Sequence, residues 1–401
     1  MKTPIDESTL RGFKYFKPLW PLLKNVTTEE SHPPRRLHYD QYLCLILFYF
    51  FNPILTGVRS LQVASRLEKV QRVLAIQSTS LGSFSEAGAV FDHSLLPPIL
   101  MQLAQKTLPQ ETEPRLKDLK KMLVAVDGSL LPALPKMVWA LWLDEEHKAA
   151  KLHLEFDLLK SVPTQASVTD ANENEKTILR KKLSSGKIYV LDAGYAQYSL
   201  LEDILKAQSS FVCRLRDNAV WETLSENELS PEDRDAGVQR DLIVRLGSKT
   251  KQDELSTPLR VIEIHHVDPL PRRRPSRVSS KKTFRTTTGD YTLLIVTDLM
   301  DLPAELIALI FRFRWQIELF FRWFKCILKC QHFLSLSQNG LAIQIYCALI
   351  ASLLISLWSG HKVGKRTYEM LCLHMQGWAS DQELEKHLES LKKKLETKKI
   401  S

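Results

Sequence analysis

Apolar positions recur with two different periods along the chain, and the change separates a helical part from a mixed part. Up to about residue 115 they recur every three to four residues, as in "GVRSLQVASRLEKVQRVL", which predicts amphipathic helices. From Lys121 onwards, short apolar runs predict strands in "MLVAVDGSL", "VWALW" and "AKLHLEFDLL". A helix in "DANENEKTILRKKLSSG", a strand in "KIYVLDAGY", a helix in "SLLEDILKAQ" and a strand in "SFVCRLRD" follow. This order predicts a mixed α/β layer.

The stretch from residue 218 to residue 290 has a different pattern, which predicts a β-rich insertion. Strands "DLIVRLG" and "LRVIEIHHV" are separated by polar loops, and "YTLLIVTDL" then leads back into the α/β layer. We therefore divide the chain into a helical domain (1–115), a first part of the α/β core (116–217), the insertion (218–290), a second part of the core (291–360) and a helical tail (361–401). The first domain fits DNA binding and dimerisation equally well.

Two apolar runs are candidates for membrane insertion, and neither fits it well. "LCLILFYFFNPIL" is too short and is broken by Asn-Pro, and "LAIQIYCALIASLLISLW" reaches the length of a span but contains Gln344. We interpret the second run as a buried core helix. The opening "MKTPIDESTLRG" lacks the apolar core of a signal peptide. We therefore expect no membrane partner and a cytoplasmic location.

The stretch "FRFRWQIELFFRWFK" (311–325) combines aromatic and charged side chains on one predicted helix. At about 100° per residue, four charged residues fall within roughly 80° of one another, and a mostly aromatic face lies opposite. This charged stripe consists of Arg314, Glu318, Arg322 and Lys325. It is either a solvated helix face with pairing between residues four apart, or part of a functional site.

Charge and cysteine content narrow the classes of function. The net charge of +9 favours a polyanionic partner, of which nucleic acid is the first candidate. The six cysteines show no paired spacing, which indicates a reduced chain. Cys326, Cys330 and His332 lack a second pair of metal ligands, and buried thiols are the better interpretation.

Asp127 and Asp192 share one placement, because each is predicted to end an apolar strand before Gly or Ala-Gly. Taken singly, each is an ordinary turn aspartate. Together with Glu318 they provide three carboxylates, which can bind two Mg²⁺ ions, or Mn²⁺ as an alternative, at a phosphodiester. In that arrangement, Arg314, Arg322 and Lys325 would hold phosphates beside the metal site.

These residues resemble a known family, the insertion-sequence transposases of the DDE class, in its family-four group. That group carries a Tyr-x2-Arg-x3-Glu-x6-Lys signature, and Phe311, Arg314, Glu318 and Lys325 match its spacing, with Phe in place of Tyr. "VAVDGS" and "VLDAGY" resemble its first and second aspartate segments. The resemblance implies an RNase H-like catalytic core with a β-rich insertion, following an N-terminal helical domain.

The same resemblance implies an activity and its partners. Asp127, Asp192 and Glu318 would form a Mg²⁺-binding catalytic triad, and Arg314 and Lys325 would contact phosphates near the cut. A homodimer would bind the terminal inverted repeats of a bacterial mobile element and the target DNA in a synaptic complex, and would move the element by cut-and-paste.

Three questions stay open in the sequence. The loop "PRRRPSRVSSKK" either contacts DNA through Arg272, Arg273, Arg274 and Arg277 or is merely solvated. The protein could be a catalytically silent DNA-binding derivative. It could also be an RNase H-like nuclease that cuts without strand transfer. Short inverted repeats flanking the gene would favour the transposase.

Overall fold

A computed structural model describes residues 18–19, 21–23, 37–74, 76–110, 113–134, 136–140, 142, 148–247, 255, 257–267, 290–327, 333–362 and 364–400. The chain forms two compact units. The first consists of Met1–Lys117, Gly128–Glu173 and Gln316–Ser401, and the second of Asp118–Asp127 and Asn174–Trp315. Helices and strands are mixed along the chain, which confirms the predicted α/β class.

The helices in chain order are α1 (Tyr39–Phe51), α2 (Val58–Ser65), α3 (Glu68–Leu74), α4 (Leu81–Val90), α5 (Leu96–Lys106), α6 (Pro114–Lys117), α7 (Glu175–Lys182), α8 (Tyr198–Lys206), α9 (Pro231–Asp235), α10 (Ala304–Phe313), α11 (Trp315–Ile327), α12 (Gln338–Ser359), α13 (Lys365–Met375) and α14 (Asp381–Ile400). The strands are β1 (Met122–Pro132), β2 (Ala149–Asp157), β3 (Val162–Asp170), β4 (Lys187–Leu191), β5 (Ser210–Arg214), β6 (Trp221–Glu226), β7 (Val238–Leu246), β8 (Leu259–Val267) and β9 (Asp290–Thr297).

The first unit is built around α12, the second of the two apolar runs. This helix packs against α1, α4, α5 and β3. Among the described residues it is the one helix long and apolar enough to cross a membrane, and 94% of its most apolar window is buried. The Tyr346 hydroxyl donates to the carbonyl of Ala166 on β3 at 2.7 Å. The prediction of a buried core helix is confirmed.

One strand of the first unit was assigned wrongly from the sequence. The described residues of "VWALW" form turns rather than a strand, and the backbone N–H groups of Met137 and Ala140 donate three residues back. Pro132 and Pro135 both precede this segment in the sequence and disfavour strand pairing, since proline has no N–H to donate. The strand that follows β2 is β3, which is polar and contains Pro163 opposite Phe156 at an irregularity in the pairing.

The second unit contains strands in the order β1-β4-β5-β9-β8-β7-β6. β1, β4 and β5 are parallel, and the remaining pairs are antiparallel. α7 and α8 cover one face of this sheet, where Val124 and Val126 of β1 join Tyr189 and Leu191 of β4 in an apolar cluster. α10 packs against β4, β5 and β7. The alternation of side chains along each strand therefore fixes the register of β1 on β4.

A buried arginine anchors the start of α10. Arg260 on β8 makes a bidentate ion pair with Asp241 on β7, at 2.8 and 2.6 Å, and both side chains are about 5% exposed. Its third nitrogen, Nη1, donates to the carbonyls of Leu299, Met300 and Leu302, just before α10. This guanidinium therefore satisfies carbonyls that would otherwise lack a donor, and it fixes the entry into α10.

We expect Arg260→Met to lower the free energy of unfolding by about 3–5 kcal/mol, because it leaves the Asp241 carboxylate buried without its partner. The matched control is Arg240→Met, which breaks an exposed pair with Glu226 at 3.0 Å. That change is worth less than about 1 kcal/mol. Urea unfolding followed by circular dichroism measures both. Equal stability of the two variants would contradict the anchoring role of Arg260.

Candidate active site

Asp127 and Asp192 both lie in the second unit, one on β1 and the other directly after β4. The parallel pairing of these strands runs as far as Ala125 opposite Val190, and each aspartate comes two residues beyond that pair. Both are partly buried. The pairing of β1 with β4 thus carries two of the carboxylates that the sequence singled out towards the same end of the strand pair.

The strand that carries Asp127 does not end where the sequence predicted. β1 continues to Pro132, and the residues from Gly128 onwards belong to the first unit. There Ala133 donates its N–H to Lys148 at 2.9 Å. β4, in contrast, ends at Leu191, so the expected strand end is correct for Asp192 and wrong for Asp127. Pairing of β1 with new partners prolongs it beyond the Gly128 that signals a turn.

Tyr195 marks the neighbourhood of the two aspartates. Its side chain is 3% exposed and its hydroxyl is hydrogen-bonded to Glu175. Burial first, then the charges of Glu175, Asp127 and Asp192, raise the pKa of the Tyr195 hydroxyl well above its ordinary value. Both aspartates therefore act electrostatically on the same buried hydroxyl.

The donor set fits a hard divalent cation in part. Carboxylate oxygens are the ligands that Mg²⁺ prefers, and two suffice when water completes the shell. Within the described residues, no group of three or more His, Cys, Asp or Glu side chains is close enough to hold a metal ion. Glu318, the third predicted ligand, belongs to the first unit. Asp127 and Asp192 are therefore the two of the three predicted ligands that belong to the same unit.

The charged stripe lies on two helices rather than one. α10 ends at Phe313 and α11 begins at Trp315, with Arg314 between them in helical backbone conformation. The Arg314 guanidinium lies over the Phe311 ring, 5.7 Å from its centroid. This is cation–π distance, so the Phe311 ring helps to orient the Arg314 guanidinium.

A cavity of about 540 Å³ adjoins the end of α10 in the second unit. Its walls come from β5, β8, β9 and α10. Glu305 is the acidic residue in a lining that is otherwise basic, aromatic and apolar. The basic and aromatic residues of this cavity are Arg214, His265, Phe311, Arg312, Arg314 and Trp315. Such a lining suits an anionic group attached to a flat ring.

On α11 the structure confirms the predicted amphipathic pattern. Ile317, Phe320 and Phe324 are buried, and the Phe320 ring lies 5.2 Å from Phe156 on β2. Glu318 and Lys325 are partly exposed and Arg322 is exposed. The Trp323 ring packs against the rings of Phe320 and Tyr368.

The basic loop of the insertion lies outside the described residues, as do Cys330 and His332. The DNA contacts of this loop therefore stay a prediction from the sequence, for Arg272, Arg273, Arg274 and Arg277.

Sequence analysis missed four residues of the site. Arg214 and His265 end or lie within apolar strands, where spacing does not show which cavity they face. Tyr195 follows Asp192 by three residues, and Glu175 opens a helix whose acidic start was recognised as a helix signal only. The feature of the sequence that could have identified such residues is a polar side chain at the end of an apolar strand or next to an aspartate segment.

Comparison with known proteins gives a consistent result. A family model described as "Transposase DDE domain" matches residues 118–354. The chain is 30% identical over 240 residues to a putative transposase, y4zB, of Sinorhizobium fredii, covering 59% of this chain and 61% of the relative. It is 24% identical over 269 residues to a probable transposase for insertion sequence element IS5377 of Geobacillus stearothermophilus, covering 67% and 64%. The chain thus spans less than two thirds of the length of these two relatives.

Two more distant similarities cover more of the chain. A putative transposase for insertion sequence element IS4SA of Synechocystis is 21% identical over 79% of this chain and 83% of the relative. A cryo-EM structure of the piggyBac transposase synaptic complex with hairpin DNA has a TM-score of 0.37 and 11% identity, over 95% of this chain and 84% of that chain.

If Asp127 helps to bind a divalent ion, its neutralisation should weaken the stabilisation by that ion. We expect Asp127→Asn to lose most of the rise in melting temperature that Mn²⁺ produces in the parent, relative to the melting temperature of each protein in EDTA. Asp203→Asn, on α8, serves as the control, since Asp203 pairs with Arg180 and lies on the exposed side of the helix. An undiminished Mn²⁺ effect in Asp127→Asn would place the ion elsewhere.

Proposed function

Because this chain belongs to the family of transposases with a DDE domain, we propose that it binds the terminal inverted repeats of an insertion sequence and moves that element by cut-and-paste. The reaction would be metal-dependent cleavage of DNA followed by strand transfer. The fold proposed for the catalytic part is the RNase H-like one, interrupted by the β-rich insertion. One observation supports the proposal most directly, namely that Asp127 and Asp192 each follow the parallel pairing of β1 with β4 by two residues and that both act on the buried Tyr195 hydroxyl.

Asp127, Asp192 and Glu318 would hold the divalent ions, Mg²⁺ or Mn²⁺. The ions would activate a water or a 3′-hydroxyl and stabilise the leaving oxygen at a phosphodiester. The chain's own contribution is position. β1 and β4 bring two carboxylates to one level, and α11 carries the third. Partial burial keeps these carboxylates away from bulk water, so that their charges act on the substrate with less screening.

Cationic side chains would hold the DNA backbone next to the carboxylates. Arg314 and Lys325 are the residues proposed near the cut, with Arg322 on the exposed face of α11. The cavity at the end of α10 supplies Arg214 and Arg312 in addition. The loop arginines Arg272, Arg273, Arg274 and Arg277 would extend this contact. Phosphate contacts fix register and orientation, and they do not read sequence.

The proposal assigns the other segments as well. Residues 1–115 would bind DNA or dimerise, residues 116–217 and 291–360 would form the catalytic core, and residues 218–290 the insertion. Residues 361–401 would form a helical tail. Two copies would form the synaptic complex on paired element ends and the target DNA, in the cytoplasm of a bacterium.

Replacing Asp127, Asp192 or Glu318 singly by the isosteric amide should abolish cleavage of a duplex that carries the element's end, because it removes a ligand of the ion on which the proposed cleavage depends. DNA binding should stay equal or become slightly tighter, since one negative charge near phosphate is removed. Gel shift and cleavage are measured on the same samples, with Glu202→Gln as control, since Glu202 pairs with Lys206 on the surface of α8. Cleavage by Asp192→Asn at the parent rate would exclude that residue from the site.

The same assay separates the transposase from its alternatives. A product in which the cleaved end is joined to target DNA identifies strand transfer. Cleavage without joining indicates a nuclease, and binding without cleavage indicates a silent derivative.

Arg314→Ala and Lys325→Ala should each weaken DNA binding and lower the salt slope, the change in log affinity per log salt concentration, by about 0.9 for each lost phosphate contact. Phe320→Ala, on the buried face of the same helix as Lys325, should leave the slope unchanged. It should instead lower stability by about 3–5 kcal/mol. Filter binding at four salt concentrations and a thermal melt provide the comparison. If both cationic variants keep the parent's salt slope, the charged stripe is a solvated helix face without phosphate contacts.

A further inference from the structure

The turn that follows Asp192 is tied to a helix that sequence analysis left out of the site. In this turn, Ala193–Tyr195, the N–H of Tyr195 donates to the carbonyl of Asp192 at 2.9 Å, and the N–H of Gln197 donates to Tyr195 at 2.7 Å. The Asp192 side chain makes no capping hydrogen bond to the turn. The backbone of the turn therefore sets where Asp192 stands, and its carboxylate is not consumed in holding that backbone.

Two side chains of helix α7 contact this turn. The buried hydroxyl of Tyr195 donates to the carboxylate of Glu175 in the first turn of α7. The next residue, Lys176, places its Nζ 3.4 Å from the carbonyl of Gly194. Asn174 caps the helix by accepting from the N–H of Lys176 at 2.9 Å, which fixes the first turn that carries both groups.

The charges around Tyr195 give the contact a consequence beyond packing. Glu175, Asp127 and Asp192 all act electrostatically on this one hydroxyl. Two of them are the proposed ligands of the metal ion, and the third, Glu175, accepts the hydrogen bond. Loss of the hydroxyl would remove this contact between the turn and α7, and would so loosen the turn that carries Asp192.

We propose that Tyr195 and Glu175 are positioning residues for the metal site, which hold the turn after β4 so that the Asp192 carboxylate stands beside Asp127. Neither residue is proposed to bind the ion. The inference rests on the proposed metal-dependent function, since it concerns the support of the same two aspartates. Partners that hold a metal ligand in place commonly change metal affinity by about 10–100-fold when they are removed.

The test compares two tyrosines that each lose a single oxygen. Tyr195→Phe removes the donor to Glu175. Tyr189→Phe removes the hydroxyl of a buried tyrosine on β4, in the same apolar cluster, that accepts from the N–H of Ser184 at 3.1 Å. Tyr189→Phe therefore reproduces the loss of one buried hydrogen bond without touching the turn.

The first readout is the binding of Mn²⁺ itself, without turnover. For the full-length protein, the melting temperature is measured against Mn²⁺ concentration. We expect Tyr195→Phe to require about 10-fold more Mn²⁺ for the same rise in melting temperature, and Tyr189→Phe to need the same concentration as the parent. In the cleavage assay, Tyr195→Phe should need correspondingly more Mg²⁺ and should approach the parent rate when Mg²⁺ saturates.

Glu175 variants test whether the two residues act as a pair. Glu175→Gln keeps an oxygen that can accept from Tyr195, so its shift should be smaller than that of Tyr195→Phe. Glu175→Ala removes the acceptor and should match Tyr195→Phe. The double variant Glu175→Ala with Tyr195→Phe should be no worse than either single one, because residues in one contact are not additive.

Asp192→Asn separates this inference from the function on which it rests. If Asp192→Asn binds Mn²⁺ and cleaves like the parent, the proposed metal site is wrong. If Asp192→Asn loses both properties while Tyr195→Phe keeps the parent's Mn²⁺ dependence, the metal site stands and the positioning role is overturned. Equal shifts in Tyr195→Phe and Tyr189→Phe would also overturn it, because they would reflect a general loss of stability.

Discussion

The parallel pairing of β1 with β4 determines where the chemistry of the second unit can occur. Val124 and Val126 pack with Tyr189 and Leu191 on one face of the sheet, and side chains alternate between faces along each strand. A slip of one residue would turn these apolar side chains away from their cluster, and would turn Asp127 towards it. Burying an unpaired carboxylate costs several kcal/mol, so the apolar cluster enforces the register of β1 on β4 and keeps Asp127 out of the cluster.

Other contacts, farther from the aspartates, fix the start of α10. Arg260 joins β7 and β8 to the segment before α10, and Asp233 accepts from the N–H of Glu305 in the first turn of that helix at 2.8 Å. The side chains of β8 and α9 thereby fix the start of the helix whose other end carries Phe311 and leads to Arg314. These elements lie far from α10 in the sequence, and they act on it through hydrogen bonds between side chains and backbone.

The sequence predicted the strongly apolar elements well and the polar ones poorly. β4, β5 and α12 are apolar runs, and their patterns are close to unambiguous. β3 was not predicted, because it is polar and contains Pro163. "VWALW" was wrongly predicted as a strand, because it is apolar although two prolines precede it. The break at Arg314 leaves no local signal, since its neighbours are all helix-forming residues. Only tertiary packing distinguishes these cases.

The candidate site shows the same division. Asp127, Asp192 and the charged stripe could be singled out from apolar runs followed by Gly or Ala-Gly and from helical spacing, although β1 continues beyond Asp127. Tyr195 and Glu175 lie twenty residues apart in the sequence, and Arg214 and His265 lie on two strands, β5 and β8, that are far apart in the sequence. Their meeting depends on which elements pack together, and a single sequence does not carry that information.

The proposed function depends on Asp127 and Asp192 forming one cation site. The most direct test of this site is to locate the ion. Crystals of the full-length protein soaked in Mn²⁺ can be measured at a wavelength where manganese scatters anomalously. The account predicts an anomalous peak between the two carboxylates, within coordination distance of an oxygen from each. A peak at other side chains, with these two carboxylates unoccupied at saturating Mn²⁺, would contradict it.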